Sequence, residues 1–230
     1  MKVELCGAEK SYPVPGVPGE TIAAVKHASL AIDAGDICFI HGPSGSGKST
    51  LLALMGGMAF PSGGSVLWDG RDTRTMGDIA RVRGERIGFA FQEQPFFREL
   101  TVLEHLLLHL ALGREGSPAE ARELLDLVGL SERFDCFPAA LSGGEKRRLA
   151  VAAALLRSPA LLILDEPVSY LDGAWQERLF AIITDRVRQA GSTLVITAHD
   201  PLFRHGATRI FRMTDGVLHA ETAETGCSAP

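Results

Sequence analysis

The stretch Gly42-Pro43-Ser44-Gly45-Ser46-Gly47-Lys48-Ser49-Thr50 restricts this chain more than any other. It satisfies the pattern G-x-x-x-x-G-K-[ST] at every position, between the apolar run Ile37 to Ile40 and the helical-looking run Leu51 to Met55. A glycine-rich turn alone is usually only a turn, so the context decides. Glycines let successive backbone N–H groups turn inward around a phosphate, and the start of the next helix adds the positive end of its dipole. Lys48 is expected to reach the outer phosphates as a point charge, and the Ser49 hydroxyl to serve as a magnesium ligand.

A phosphate loop implies a nucleotide without saying what the nucleotide is for. Two further stretches narrow the question. Leu141-Ser142-Gly143-Gly144-Glu145 opens a helical run to Leu156, and Leu161-Leu162-Ile163-Leu164 is an apolar strand ending in Asp165-Glu166-Pro167. In this order and spacing the three motifs resemble the nucleotide-binding subunit of ATP-binding cassette (ABC) proteins, from about Val3 to about His219. The resemblance implies an α/β fold of the P-loop NTPase, ABC-cassette kind. Its core sheet is expected to be mainly parallel, with an N-terminal antiparallel β subdomain and a helical insertion over about 92–141. One domain over 1–220 and a flexible tail over 221–230 are expected.

The resemblance also assigns roles. Asp165, ending a buried strand, is expected to hold Mg2+ beside Ser49, and Glu166 to act as general base or to position the attacking water. Gln92 matches the glutamine that binds the metal or that water. His199, in Thr197-Ala198-His199-Asp200, matches a switch histidine that contacts the γ-phosphate. Tyr12 matches the aromatic that stacks on adenine, with simple packing as the competing reading. Ser142 and the Gly143 and Gly144 amides at a helix start form a second anion site. The family's arrangement is a head-to-tail dimer of this chain with a second copy or a paralogous cassette, in which that turn closes on ATP held by the other subunit. Asp172 matches a loop that makes contacts between subunits. Glu145, Ala153, Val168 and Tyr170 depart from the common pattern at positions that leave the expected phosphate chemistry intact.

The remaining features constrain partners. Net charge of −5 and a pI near 5.8 argue against a strong basic field for nucleic acid, and no nucleic-acid partner is expected. The four cysteines are scattered and predict neither zinc site nor disulfides, with a reducing cytosol as the default. No signal-peptide pattern or apolar run of about 20 residues is evident. The chain is therefore expected to be soluble and to reach a membrane's cytoplasmic face only through a separate integral membrane subunit. Ser117 followed by Pro118 predicts a helix start. His105 and His109 are expected to be core or surface residues, and Lys146-Arg147-Arg148 a solvated or salt-bridged helix face. Phe96 and Phe97 are expected either to line a groove for the membrane subunit or to pack in the core.

The leading expectation is an ATPase driving a transporter or mechanotransmission complex. The text resembles the lipoprotein-release and macrolide-efflux type most, although amino-acid importers share much of it. The rival is a soluble ABC ATPase acting on DNA or ribosomes, and a degenerate cassette that only binds ATP is the third reading.

Overall fold

The computed structural model describes residues 1–112, 117–198, 204 and 206–221. Strands β1 (Val3–Pro13), β2 (Thr21–Ile32), β4 (Gly63–Trp68) and β5 (Arg71–Asp72) form an antiparallel sheet in the order β2-β1-β4-β5. A second sheet has the order β10-β9-β3-β8-β7-β6, built from β3 (Ile37–His41), β6 (Ile87–Ala90), β7 (Leu161–Asp165), β8 (Thr193–Thr197), β9 (Arg209–Thr214) and β10 (Val217–Glu221). All its pairings are parallel except β9 with β10. The expected division into a mainly parallel core sheet and an N-terminal antiparallel sheet is present.

The apolar runs explain the layering. Every residue of β7 and of β8 is buried, as a strand covered on both faces requires. Because side chains alternate across a strand, Phe39, Leu162, Leu164, Leu194 and Ile196 enter one core, while Cys38, Ile40, Leu161, Ile163 and Val195 enter the other. The first core lies under α3 (Val102–Leu112), α4 (Pro118–Leu127), α5 (Gly143–Leu155) and α6 (Gly173–Ala190). The second joins α1 (Lys48–Met55) to the antiparallel sheet. Burial pushes the Cys38 thiol far above its ordinary pKa, so it packs as a small apolar side chain.

Several boundaries differ from the sequence reading. The helix after the phosphate loop stops at Met55 and not near Met58, because Gly57 turns the chain with φ +64°. The Trp68 indole N–H donates to the Met55 carbonyl at 2.7 Å and satisfies the helix end. A helix α2 (Ile79–Arg86) occupies a stretch for which the sequence pattern suggested nothing; none of its residues is fully buried, and only Ile79 and Val82 pack against the second core. Ser117 caps α4 as expected, in a reciprocal capping box with Glu120. Glu221 belongs to β10, and residues 222–230 of the expected tail lie outside the described residues.

One contact sets the position of α5. A Cβ on Gly88 of β6 would lie 2.0 Å from the Ala154 carbonyl oxygen and 2.9 Å from Pro159. Helix and strand therefore touch backbone to backbone. Gly88→Ala should force them apart and destabilise the fold by about 3 kcal/mol or more. Equilibrium urea unfolding of the two proteins measures this.

Candidate active site

The carboxyl ends of β3, β8, β7 and β6 are neighbours along one edge of the parallel sheet, the edge at which ligands bind in open α/β sheets. The phosphate loop leaves β3 there. Gly45 is exposed, and no atom lies within 4 Å of where its Cβ would stand, so the loop is open on that side. Gly47 is the N-cap of α1, left-handed at φ 102°, with no side-chain cap for the helix's first N–H groups. A side chain at Gly47 would meet the Ala24 carbonyl at 2.1 Å, and one at Gly42 the Met213 carbonyl at 2.0 Å. Only glycine fits either place. Ser44 and Ser49 are exposed, Pro43 is at the rim, and the Ser46 hydroxyl is buried without a hydrogen-bond partner.

Lys48 is buried and donates to the Gly42 and Pro43 carbonyls, each at 2.9 Å. Burial lowers its pKa from the usual lysine value, while the carboxylates of Glu166 and Asp165 act against that shift. Asp165 is buried and accepts from the Thr197 hydroxyl at 2.6 Å. Glu166 sits in the left-handed region at φ 50°, uncommon for a residue with a side chain. Its N–H is shared between the Thr197 carbonyl at 3.0 Å and hydroxyl at 3.1 Å. The Gln92 amide donates to the Glu166 carboxylate at 3.4 Å. Thus Lys48, Asp165, Glu166 and Gln92, read separately from the sequence, converge. Thr197 was not singled out there, although its place at the end of a buried strand beside Asp165 was the available signal.

Ser142, Gly143, Gly144, Glu145 and Asp172 occupy a second locality. Ser142 is the N-cap of α5, accepting from the Glu145 N–H at 3.2 Å while the Glu145 carboxylate accepts from the Ser142 N–H at 2.8 Å. Gly143 and Gly144 lie against Tyr170 and Leu171; a Cβ on Gly144 would be 3.0 Å from the Leu171 side chain. Leu141 is buried in the core. Asp172 caps α6 by accepting from the Trp175 N–H at 2.9 Å. Tyr170 is 79% exposed and left-handed, φ 67°. It stands between a cleft of about 180 Å³ that includes Gln92, Phe96 and Arg147 and an open depression over Ser142 to Glu145. Tyr12 is exposed near the end of β1, paired with Ile22 two residues from Ala24. His199 lies outside the described residues.

One expectation fails. Arg147 and Arg148 are buried, not a solvated or salt-bridged face. Arg148 donates to the Val128 and Gly129 carbonyls at 2.7 and 2.9 Å and lies over the Trp175 ring, 4.0 Å from its centroid. A run of charges reads as solvated because sequence does not show a long stem reaching inward to carbonyls. His105 is a satisfied core residue, as expected: it accepts from the Phe97 N–H at 3.0 Å and packs edge-on to Phe96. Phe96 packs partly on the core, whereas Phe97 is 60% exposed. Among the described residues no group of three or more His, Cys, Asp and Glu is arranged to hold a metal.

Comparison with known proteins now decides the family. The profile of the family described as ABC transporter matches residues 25–169, more than half of the chain. The chain belongs to the ABC transporter family. A second profile, described as AAA domain, putative AbiEii toxin, Type IV TA system, matches residues 137–204. The macrolide export ATP-binding/permease protein MacB of Salmonella typhimurium is 37% identical over 228 residues, 96% of this chain. The chain spans only 35% of that relative's length. The lipoprotein-releasing system ATP-binding protein LolD of Anaeromyxobacter dehalogenans is 37% identical over 226 residues, 95% of this chain and 93% of its own. The cassette MJ0796, solved as a dimer in a post-hydrolysis state bound to ADP and Pi, superposes with a TM-score of 0.89 at 32% identity, covering 96% of this chain and 99% of that one.

The capping box at this ABC chain's Ser142 has a pH consequence. The Ser142 N–H bonded to Glu145, aided by Arg133, holds that carboxyl below its ordinary pKa. A depressed carboxyl contributes stability above its unfolded value and loses it as pH falls through the folded one. Glu145→Gln should therefore lower the melting temperature at neutral pH, with the difference from the native chain closing below the ordinary carboxylate range. Melting curves from pH 7 down to pH 3 test it.

Proposed function

We propose that the chain binds and hydrolyses ATP as the engine of a transporter or mechanotransmission complex, working as a nucleotide-sandwich dimer that drives separate membrane subunits. The observation that carries this reading is the convergence of Lys48, Asp165, Glu166 and Gln92 beside an open phosphate loop. No helix among the described residues is long and apolar enough to cross a membrane. The chain is taken as one cassette over 1–220, with the helical insertion over 92–141.

Phosphoryl transfer to water is mainly positioning and charge stabilisation. The backbone N–H groups of the loop from Gly42 to Thr50, Pro43 having none, cradle the phosphates, and the Lys48 ammonium neutralises charge on the outer ones. Tyr12 offers a ring face to adenine. Glu166 orients the attacking water and accepts its proton, with the Gln92 amide fixing the carboxylate, and His199 contacts the γ-phosphate. The Ser49 hydroxyl, the Asp165 carboxylate and the Gln92 amide are hard oxygen donors, few in number, which suits Mg2+. That ion supplies charge neutralisation between the phosphates when bound. Ser142 with the Gly143 and Gly144 amides, backed by the start of α5, contacts the nucleotide held by the second copy, and Asp172 lies at the same junction. The dimeric cassette neighbour and the relatives named for macrolide export and lipoprotein release support this reading over a soluble ATPase acting on DNA or ribosomes.

Glu166→Gln should lower turnover by roughly 10² to 10⁴, leave ATP binding intact and favour an ATP-bound dimer in light scattering. Undiminished turnover would overturn the role given to Glu166. The same variant, used with ATP as bait on gently solubilised membranes, should recover an integral membrane protein. Recovery with ribosomes or DNA instead would overturn the transport reading.

A further inference from the structure

The buried guanidinium of Arg147 has no part in the chemistry above, yet it touches three separate segments of the site. It donates to the Phe91 carbonyl at 2.6 Å and to the Gln92 carbonyl, at the end of β6. It donates to the Asp165 carbonyl at 3.4 Å and to the Ser169 hydroxyl at 2.9 Å. Ser169 passes the contact on, because its hydroxyl donates to the Glu166 carbonyl at 2.9 Å. Arg147 itself stands in the second turn of α5, whose first residues are Gly143 and Gly144.

We propose that Arg147 is a positioning residue: one planar guanidinium ties the helix that carries the Ser142-Gly143-Gly144 turn to the backbone on both sides of the Gln92–Glu166 pair. This rests on the ATPase reading and adds to it a route by which movement of α5 is felt where water is held. The geometry favours arginine in particular. Five donors in a rigid fork reach several acceptors at once, whereas a lysine ammonium is a compact charge on a flexible stem. Its hydrogen-bond partners are neutral acceptors, so the guanidinium works through the direction of its bonds. Burial lowers its pKa, and the nearby carboxylates of Asp165 and Glu166 oppose that shift. The pair it supports is demanding, since Glu166 is held at a positive φ and Gln92 is exposed at a strand end. Small displacements of such a pair are expensive in rate.

The test is steady-state ATPase kinetics on the full chain, with fluorescent-nucleotide binding and melting temperature measured alongside, for Arg147→Lys, Arg147→Gln and Ser169→Ala. Arg147→Lys keeps the charge and the stem, so it is the decisive variant. It should lose on the order of 10- to 100-fold in kcat, with nucleotide affinity and KM within about twofold of the native chain. Arg147→Gln should lose at least as much. Ser169→Ala, which removes one arm of the guanidinium and the hydroxyl's bond to the Glu166 carbonyl, should lose less, and its effect should shrink on an Arg147→Lys background. Full kcat in Arg147→Lys, or equal losses of kcat and affinity that track a fall in melting temperature, would overturn the inference and leave the ATPase reading standing. If arginine variants fail to fold, additive behaviour cannot be scored there, and Ser169→Ala decides: unchanged kcat overturns the inference, and a selective kcat loss supports it. A native chain without ATPase activity would overturn the reading itself and this inference with it.

Discussion

At the carboxyl edge of the parallel sheet, the backbone groups at and just past the ends of β6 and β7 run beyond the strand ladder, and most of them are at least partly buried. Everything at the site depends on how they are satisfied. The Thr197 hydroxyl and carbonyl take the Glu166 N–H, that hydroxyl also donates to the Asp165 carboxylate, and Arg147 takes the carbonyls of Phe91, Gln92 and Asp165. A buried carbonyl left unbonded costs about 1–3 kcal/mol. The donor that satisfies the carbonyls comes from α5 and the acceptors for the Glu166 N–H come from β8, two elements far apart in sequence. Satisfying the backbone thus also aligns the side chains that emerge from it.

The close contact at Gly88 belongs to the same constraint. α5 lies on β6 with no side chain between them, and that proximity lets a side chain in its second turn reach the end of the strand. A larger residue in the strand would lift the helix and carry the guanidinium away from its acceptors. Packing in the core and geometry at the site are therefore one problem solved by one glycine.

Much of this was legible in the sequence because it rests on local pattern. The phosphate loop is a fixed spacing of glycines and lysine, the buried strands are continuous apolar runs, and the helix start at Ser117 follows from its capping chemistry. The meeting of Gln92 with Glu166 was implied by family resemblance and not by any short-range signal. What was missed is long-range. Arg147 sits in a basic run that reads as surface, and only the fold reveals carbonyls within reach of its fork. α2 escaped because only Ile79 and Val82 give it an apolar side, too short a pattern to stand out among its arginines and glycine. The positive φ of Glu166 and of Tyr170 is likewise a product of the surroundings, since neither residue type favours it.

The capping box at the head of α5 has one more consequence. The Ser142 oxygen already accepts the Glu145 N–H, while its own N–H is bonded to the Glu145 carboxylate. The first bond holds the serine side chain in one rotamer, and the second holds its backbone. With one of the oxygen's two lone pairs engaged by the helix, the hydroxyl keeps its hydrogen and one lone pair to offer outward. The cap thus uses up acceptor capacity and leaves the donor untouched, so the helix that follows the turn narrows what its serine can do.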